Sequence, residues 1–477
     1  SDLLRYIFKE IEEFMTSNPI SDFWHIVQEL SDKIKFLTKQ NISLQKEVNE
    51  LRSKLQQHEH AKTSLNSSLP PSKDSLATQG QKAAKLRITR SLRTKSDKPN
   101  GGQPGRKGTT LEISQTPDEV IVYTPDFCNN CGGSLVSAPE EKSETRQVID
   151  IPLPIKPIVT NHVSVSKRCA CGHCTSSKFP THVTTGVSYG VNIQALVTYL
   201  NVCQHIAFKR LRETLANFYG LSISDGTISN ILNRMRKKAE PAYEVIHQMI
   251  ENSAVVGADE TGCKVNGELQ WMWTFQNKLA TFVYRNASRG KVAILEHFAN
   301  GLPRTILTTD RHASYFNVET AGHQICLAHL LRNLTYLDEL DTNQSWAARM
   351  LQLLRDSIHE RKSTAFEKID ILHFKDRFQI LMRENLENLD SKYASLQRSL
   401  VKHQEHVFVF LENPNVPPDN NASERTIRPL KIKQKVSGMF RSNEGGDNFS
   451  TLHSIASTAV KNKQNPFEAF IAIAKFG

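Results

Sequence analysis

Between Val27 and Leu55 the apolar residues fall on a seven-residue repeat, with Leu30, Leu37, Leu44 and Leu51 at one position and Val27, Ile34, Asn41, Val48 and Leu55 at the other. β-branched residues at a, leucine at d and one asparagine at a predict a parallel two-stranded coiled coil, because a buried Asn is satisfied by the same residue opposite. Glu47 to Arg52 and Lys54 to Glu59 carry the right signs to pair across such a seam, each contributing roughly a few tenths of a kcal/mol. A single amphipathic helix packed on its own chain has the same stripe and is the competing reading.

After His60 the repeat dissolves into a polar, proline-bearing stretch and then a basic tract containing Lys82, Lys85, Arg87, Arg90, Arg93, Lys95 and Lys98, which ends at Gly101-Gly102-Gln103-Pro104-Gly105-Arg106-Lys107-Gly108. Such a run reads as a flexible arm. With almost no acidic company its cations, Arg106 and Lys107 among them, suit phosphate contact or the minor groove, and a plain solvated linker is compatible with that role.

Strand-like sequence around Val120-Ile121-Val122-Tyr123 leads into a cysteine module, and a helical region follows. Within it, Leu211–Gly220 and Ser224–Met235 resemble a helix-turn-helix, with Ser224 or Asp225 as cap and Ile228, Leu232 and Met235 as an apolar stripe. Arg234 on the second helix is a candidate DNA contact, although any helical hairpin has this pattern.

From Ala254 the period changes. Strands are expected at Ala254–Ala258, Leu269–Phe275 and Leu279–Arg285, then a helix near Lys291–Phe298, a fourth strand at Thr305–Thr309 and a fifth at Gln324–Ala328. Three strands, a helix and a fourth strand is the order of a ribonuclease H-like core. Residues from about Leu330 to Leu411 are mostly helical and charged. The expected organisation is a multidomain α/β chain: a helix and coiled coil over 1–60, a basic linker over 61–118, a zinc-binding module over 119–178, a helical region over 179–252, a catalytic core over 253–335 and 416–477, and a helical insertion over 336–415.

The chain has 477 residues, enough for several folded units at about 100–200 residues each. Lys plus Arg total 60 against 49 Asp plus Glu, a net charge of +11 that favours a polyanionic partner. Neither a signal peptide nor a membrane-length apolar stretch is visible, so no membrane partner and a soluble, cytoplasmic location are expected, at the nucleoid when DNA is bound.

Three acids carry the candidate chemistry. Asp259 closes the run Ala254-Val255-Val256-Gly257-Ala258, Asp310 closes Thr305-Ile306-Leu307-Thr308-Thr309, and Glu424 stands in Asn420-Asn421-Ala422-Ser423-Glu424-Arg425. Two divalent cations about 4 Å apart need shared carboxylates, and oxygen ligands select Mg²⁺ or Mn²⁺. Arg428 and Lys431 follow Glu424 at +4 and +7, on one helical face where they would grip phosphates, with Arg425 beside them. Pro429 threatens to kink that helix. Glu444, in a glycine-rich segment read as a loop, is the rival third acid.

Of eight cysteines, five cluster. Cys128, Cys131, Cys171 and Cys174 form two Cys-x-x-Cys pairs suited to one structural Zn²⁺, with Cys169 and His173 competing for a ligand place. His329 and Arg332 lie one helical turn apart after the fifth strand.

Taken in order, Asn66-Ser67-Ser68 with Pro70-Pro71-Ser72, Gly101–Gly105, the two-part cysteine module, Asp259-Glu260-Thr261 with Trp271-Met272-Trp273, Asp310 through Tyr315, Cys326-Leu327-Ala328-His329 and Asn421 through Leu430 resemble the bacterial transposases of the insertion-sequence 66 family, which are DDE transposases. The resemblance covers nearly the whole chain; Leu69 and Leu327 depart from the family's usual residues. It implies a ribonuclease H-like catalytic domain interrupted by helices, a triad of Asp259, Asp310 and Glu424 holding two Mg²⁺ or Mn²⁺, and recognition of terminal inverted repeats. It also places His329 near the active site, as support for the acids together with Arg332, or as a DNA contact. The expected partners are double-stranded DNA at element ends and target, a second copy of the chain through 27–55, and possible accessory proteins. Two other readings use the same residues: a dimeric, zinc-containing DNA-binding regulator without catalysis, and a nuclease that cuts without joining.

Overall fold

The computed structural model describes residues 6–10, 20–59, 113–141, 144–150, 155–180, 183, 188–341, 345–386 and 389–476. The basic arm with Arg106 and Lys107, the motif at Asn66–Ser72, and the side chains of Arg52, Lys54, Leu55 and Glu59 lie outside what is described.

Helix α1, Ile20–Glu59, is 40 residues long. Val27, Ile34, Leu37, Leu44, Val48 and Leu51 are all exposed along it, so the heptad seam is open among the described residues and is not packed on the rest of the chain.

The chain divides into two compact units. One takes in Ile206–Ile231 and the described part of Arg93–Gly190; the other takes in Val191–His205, Leu232–Gly477 and the described part of the amino-terminal region. The region 179–252 therefore contributes to both.

In the first unit, β1 (Ser166–Arg168) pairs antiparallel with β2 (Cys174–Ser176). After α2 (Val191–Val202), which belongs to the other unit, α3 (Phe208–Tyr219) stops at Gly220, whose left-handed backbone at φ 63° frees the terminal carbonyls to be capped. α4 (Asp225–Glu251) starts where the Ser224 hydroxyl accepts the Thr227 amide at 3.1 Å. The expected helical pair is present, but its second helix runs on to Glu251.

The second unit is built on a mixed sheet of β3 (Val255–Val265), β4 (Glu268–Gln276), β5 (Thr281–Asn286), β6 (Leu302–Thr309) and β7 (Thr320–Ile325), in the order β5-β4-β3-β6-β7. β3, β4 and β5 are antiparallel neighbours, and β6 and β7 run parallel to β3. Short α5 (Lys291–Leu295) and α6 (Ala313–Phe316) flank β6.

β3 and β7 depart most from expectation. β3 does not end at Ala258; it continues to Val265 because it turns straight back through Asn266-Gly267, both at positive φ, into β4. This is the two-residue hairpin that Asn-Gly favours, and it puts Asp259 inside the strand. The fifth strand ends at Ile325, and Leu327 already begins helix α7 (Leu327–Leu340).

Trp273, Phe275, Phe282 and Phe298 fill the core beside the sheet. The open edge of β5 is closed by side chains of a later helix: Ser454 and Thr458, one turn apart, accept the amides of Val283 and Thr281 at 2.8 and 3.1 Å. After α7 come α8 (Ser345–Ser363), α9 (Ile371–Met382), α10 (Ser391–Lys402) and α11 (Val409–Glu412), which share a buried core with β7. The chain then returns to the sheet through α12 (Asn421–Ser437), α13 (Asn443–Lys461) and α14 (Pro466–Phe476). α12 continues through Pro429 without ending. Among the described residues no helix is long and apolar enough to cross a membrane.

Candidate active site and cysteine module

The parallel ladder between β3 and β6 runs from Val255↔Ile306 to Gly257↔Thr308. Continued two steps, that register sets Asp259 opposite Asp310, one inside β3 and the other just after β6. Asp259 is half-buried, and its carboxyl is held well above the usual carboxylate range by its burial, then by the neighbouring charges of Glu260 and Asp310, with Glu424 adding to them. Asp310 and Glu424 therefore both act on Asp259. Asp259 also accepts the Glu260 amide at 2.9 Å, and Asp310 accepts the His312 amide at 2.9 Å.

Glu424 stands in the first turn of α12, and tertiary contacts fix where that turn sits. Asn420 donates to the Ala258 carbonyl at 2.6 Å and accepts from the Ser423 hydroxyl at 2.6 Å; Gln276 donates to Ser423 at 3.3 Å. A Cβ at Gly257 would stand 2.5–2.6 Å from Gln276, Asn420 and Ser423, so only glycine lets the helix dock this closely on β3. The Asn420 amide donates to Cys326 Sγ at 3.1 Å, and the Leu327 amide donates to the Pro418 carbonyl at 2.9 Å, tying α7 to the start of α12. Cys326 is fully buried with its thiol pushed up to about 12, a core residue and no nucleophile.

The Glu424 carboxylate is engaged by α7. Arg332 donates to it at 3.0 Å, and His329 Nε2 stands 3.7 Å away. Burial, and then the Arg332 charge, lower the His329 pKa. Among the described residues no three His, Cys, Asp or Glu side chains are gathered closely enough to hold one metal ion. The donor set still fits a hard cation: a carboxyl raised by burial and by neighbouring acids, as that of Asp259 is, is what a divalent ion relieves.

Lys431 is close enough to Asp259 to feel its charge, while Arg425 and Arg428 are exposed on α12 and Arg234 is exposed on α4. Glu444, expected in a loop, lies in the first turn of α13 behind the Ser442 cap and is exposed. Arg311, next to Asp310, donates to Ser399 of α10 at 3.2 Å.

Sequence reasoning gave no role to Glu260. Its side chain is almost fully buried (1% exposed) and takes two hydrogen bonds from Arg289 at 2.8 and 2.7 Å and one from the Tyr315 hydroxyl. Burial and the surrounding acids keep the Tyr315 phenol protonated, well above its ordinary range. An acid directly after the candidate Asp, on the opposite face of the strand, was the available signal.

In the cysteine module, Cys128 and Cys131 share a tight turn: the Gly132 amide donates to the Cys128 carbonyl at 2.9 Å, and the Cys128 amide donates to the Gly133 carbonyl at 2.8 Å, with Gly132 at φ 70°. A second, shorter turn has the Gly172 amide on the Cys169 carbonyl at 2.9 Å and the Cys169 amide on the His173 carbonyl at 2.8 Å. Backbone amides aimed at the sulfurs lower the Cys128 and Cys169 thiols, favouring the thiolate that a zinc ion takes. Cys169 thus lies beside Cys171 within its turn, and Cys174 opens β2. All five are free thiols, and the four expected ligands are not gathered around one point.

An uncharacterized protein of Sinorhizobium fredii, y4qI, is 23% identical over 415 residues, covering 79% of this chain and 75% of its own length. A second from the same organism, y4jD, is 20% identical over 416 residues, covering 78% and 80%. Residues 125–174 match the zinc-finger binding domain of transposase IS66. Residues 186–448, more than half of the chain and the stretch that holds the sheet and all three acids, match the transposase IS66 family, to which this protein belongs.

Proposed function

We propose that the protein binds the terminal inverted repeats of its element and catalyses DNA strand cleavage followed by strand transfer into target DNA. The observation that carries this is that Asp310, just after β6, and Glu424, on α12, both stand close enough to Asp259 on β3 to add to burial and to Glu260 in raising its carboxyl. The strand order supports a ribonuclease H-like core: three antiparallel strands, then two parallel to the first, with helices inserted before the third acid arrives.

In this reading Asp259, Asp310 and Glu424 hold two Mg²⁺ or Mn²⁺ ions. Divalent cations so held supply activation of the attacking oxygen and stabilisation of the leaving oxygen. The chain's own cations do the positioning: Lys431, next to Asp259, and Arg428 and Arg425 along α12 bind phosphates beside the acids, and Arg234, Arg106 and Lys107 extend the grip. Water attacks first and the freed 3′-hydroxyl attacks target DNA next, with no protein nucleophile; the buried Cys326 thiol is consistent with that. Zn²⁺ is structural, held by Cys128, Cys131, Cys171 and Cys174, with Cys169 the alternative ligand. The open seam of α1 pairs two copies, which holds two element ends together.

The test is incubation of labelled element-end DNA and target DNA with the protein and Mg²⁺ or Mn²⁺, beside Asp259→Asn, Asp310→Asn and Glu424→Gln. Cleaved ends joined to target in the parent alone support the reading. Cleavage without joined product reduces it to a nuclease; equal cleavage by the variants removes the triad; binding without cleavage by the parent leaves a DNA-binding regulator.

A further inference from the structure

Neighbouring strands are normally held at fixed spacing by backbone hydrogen bonds, and the β3–β6 ladder lapses before it reaches the two aspartates. Its last pair is Gly257↔Thr308. The next carbonyl of β3, that of Ala258, is taken by Asn420, and the Thr309 carbonyl is taken by the Cys326 amide at 2.7 Å. At the level of Asp259 and Asp310 the strands carry no backbone bond to each other, yet two acids that share cations must be held to within about 0.5 Å.

The Glu260 network occupies that gap. Glu260 directly follows Asp259, and both of its carboxylate oxygens are used: one accepts two N–H groups from Arg289, the other the Tyr315 hydroxyl. Tyr315 lies five residues after Asp310 on α6, fully buried and edge-on to Trp273 at 5.7 Å between ring centres. Arg289 lies over the Trp271 ring of β4 at 4.6 Å, and its carbonyl accepts the Ser314 hydroxyl at 2.7 Å. One side chain on β3 is thereby bonded to the segment that follows β6 and, through Arg289, to β4.

We propose that Glu260 is a positioning residue: through Tyr315 and Arg289 it braces β3 against the start of α6 and sets the spacing of Asp259 and Asp310. The inference rests on the triad reading for its consequence in cation binding, and on the geometry alone for its effect on local order. With both oxygens occupied, Glu260 acts as a brace and not as a ligand. Tyr315→Phe removes one hydroxyl and keeps the buried ring, so its effect separates bracing from packing.

Two measurements on the full-length protein test this. Hydrogen–deuterium exchange of the metal-free protein is expected to rise about tenfold at 259–261 and 310–314 in Tyr315→Phe, with 255–257 and 306–308, where β3 and β6 pair, unchanged, as for a local opening. Mn²⁺ titration followed by electron paramagnetic resonance is expected to show about tenfold weaker binding in Tyr315→Phe and in Glu260→Ala, the usual cost of losing a group that orients a ligand. The double variant should be no weaker than Glu260→Ala, and Glu260→Gln, which keeps an acceptor for Tyr315, should recover part of the loss. Unchanged exchange in Tyr315→Phe overturns the brace. So does Mn²⁺ binding lost as fully in Glu260→Gln as in Asp259→Asn but retained in Tyr315→Phe, since Glu260 would then be a ligand. A parent that binds no Mn²⁺ while Tyr315→Phe still loosens 259–261 and 310–314 sinks the triad reading and leaves the brace standing.

Discussion

Asp259 reaches the candidate site inside β3 and Asp310 directly after the adjacent β6, whereas Glu424 reaches it on a helix 114 residues beyond Asp310, and the two regions are held by different physics. The strand acids sit at the end of a parallel ladder with their neighbourhood locked by buried side chains. Glu424 is held by a seated helix start, Asn420 and Ser423 against β3, and by an ion pair to Arg332 on α7. α7 is also the first of the helices that follow the sheet, so Glu424 is bonded to one of the elements that separate it in sequence from Asp259 and Asp310. The strand acids sit where the strands carry them, beside the side-chain network of Glu260; the helical acid is placed by a few polar contacts that a change in the helical block can alter.

The comparison breaks most sharply in the acids themselves. Asp259→Asn and Glu424→Gln should each lower end cleavage by about a thousandfold or more, roughly 4 kcal/mol of barrier, while moving stability in opposite directions. Asp259→Asn relieves a buried carboxyl crowded by other acids and should raise the unfolding free energy by about 1 kcal/mol. Glu424→Gln strips Arg332 of its partner and should lower it by about 1 kcal/mol. Denaturant midpoints measured beside cleavage assays check both, and a shared sign would erase the distinction.

Gly257→Ala attacks the junction of the two regions. The added Cβ meets three polar atoms at 2.5–2.6 Å, so α12 must shift, at about 1–3 kcal/mol. Cleavage should fall while Arg332 still pairs with Glu424, and exchange should rise over 420–424 more than over 259–261.

Acid should find the sheet side first. His297, His323 and His453, beside β5, in β7 and on α13, are each lowered to about 4, chiefly by burial. Unfolded histidines take a proton near 6.5 and these do not, so stability is full above about pH 6.5 and is lost as pH falls toward about 4. Denaturation curves across that window, with a much smaller change between pH 7 and 8, are the expected result.

The smallest effect belongs to Arg332→Gln. Freed from the guanidinium, Glu424 should meet cations more readily, lowering the Mn²⁺ concentration for half-maximal binding by about fivefold, close to the upper range for one ion pair. A rise instead would mean that Arg332 aims the carboxylate at the metal.

Much of this was legible along the chain. The heptads mark α1, the apolar runs mark β4, β5 and β6 nearly in place, and acids after β-rich runs mark Asp259 and Asp310. Where the sequence misled, a local signal had been overlooked or a distant contact decided. The length of β3 follows from Asn266-Gly267, a hairpin signal readable in advance; without it the apolar run alone stops one residue before Asp259. Glu444 looked like a loop residue because of its glycines, yet Gly446 is glycine to admit Arg285, whose side chain crosses there to pair with Asp447 at 2.9 Å.

By itself the sequence determined what short-range chemistry determines: the repeat of α1, the alternation of the strands, the cysteine turns with their glycines, and which acids stand at the ends of apolar runs. Each depends on residues within one or two turns of one another. Only the tertiary structure decided that Glu260 is bonded to Tyr315 and Arg289, that Asn420 and Ser423 dock α12 on Gly257, and that Glu424 is paired with Arg332 across 92 residues of chain. Those partners meet because burying the sheet and the helical block removes much of the water around groups such as Glu260 and Asn420, and a buried carboxylate or amide must find its partner wherever the fold supplies one.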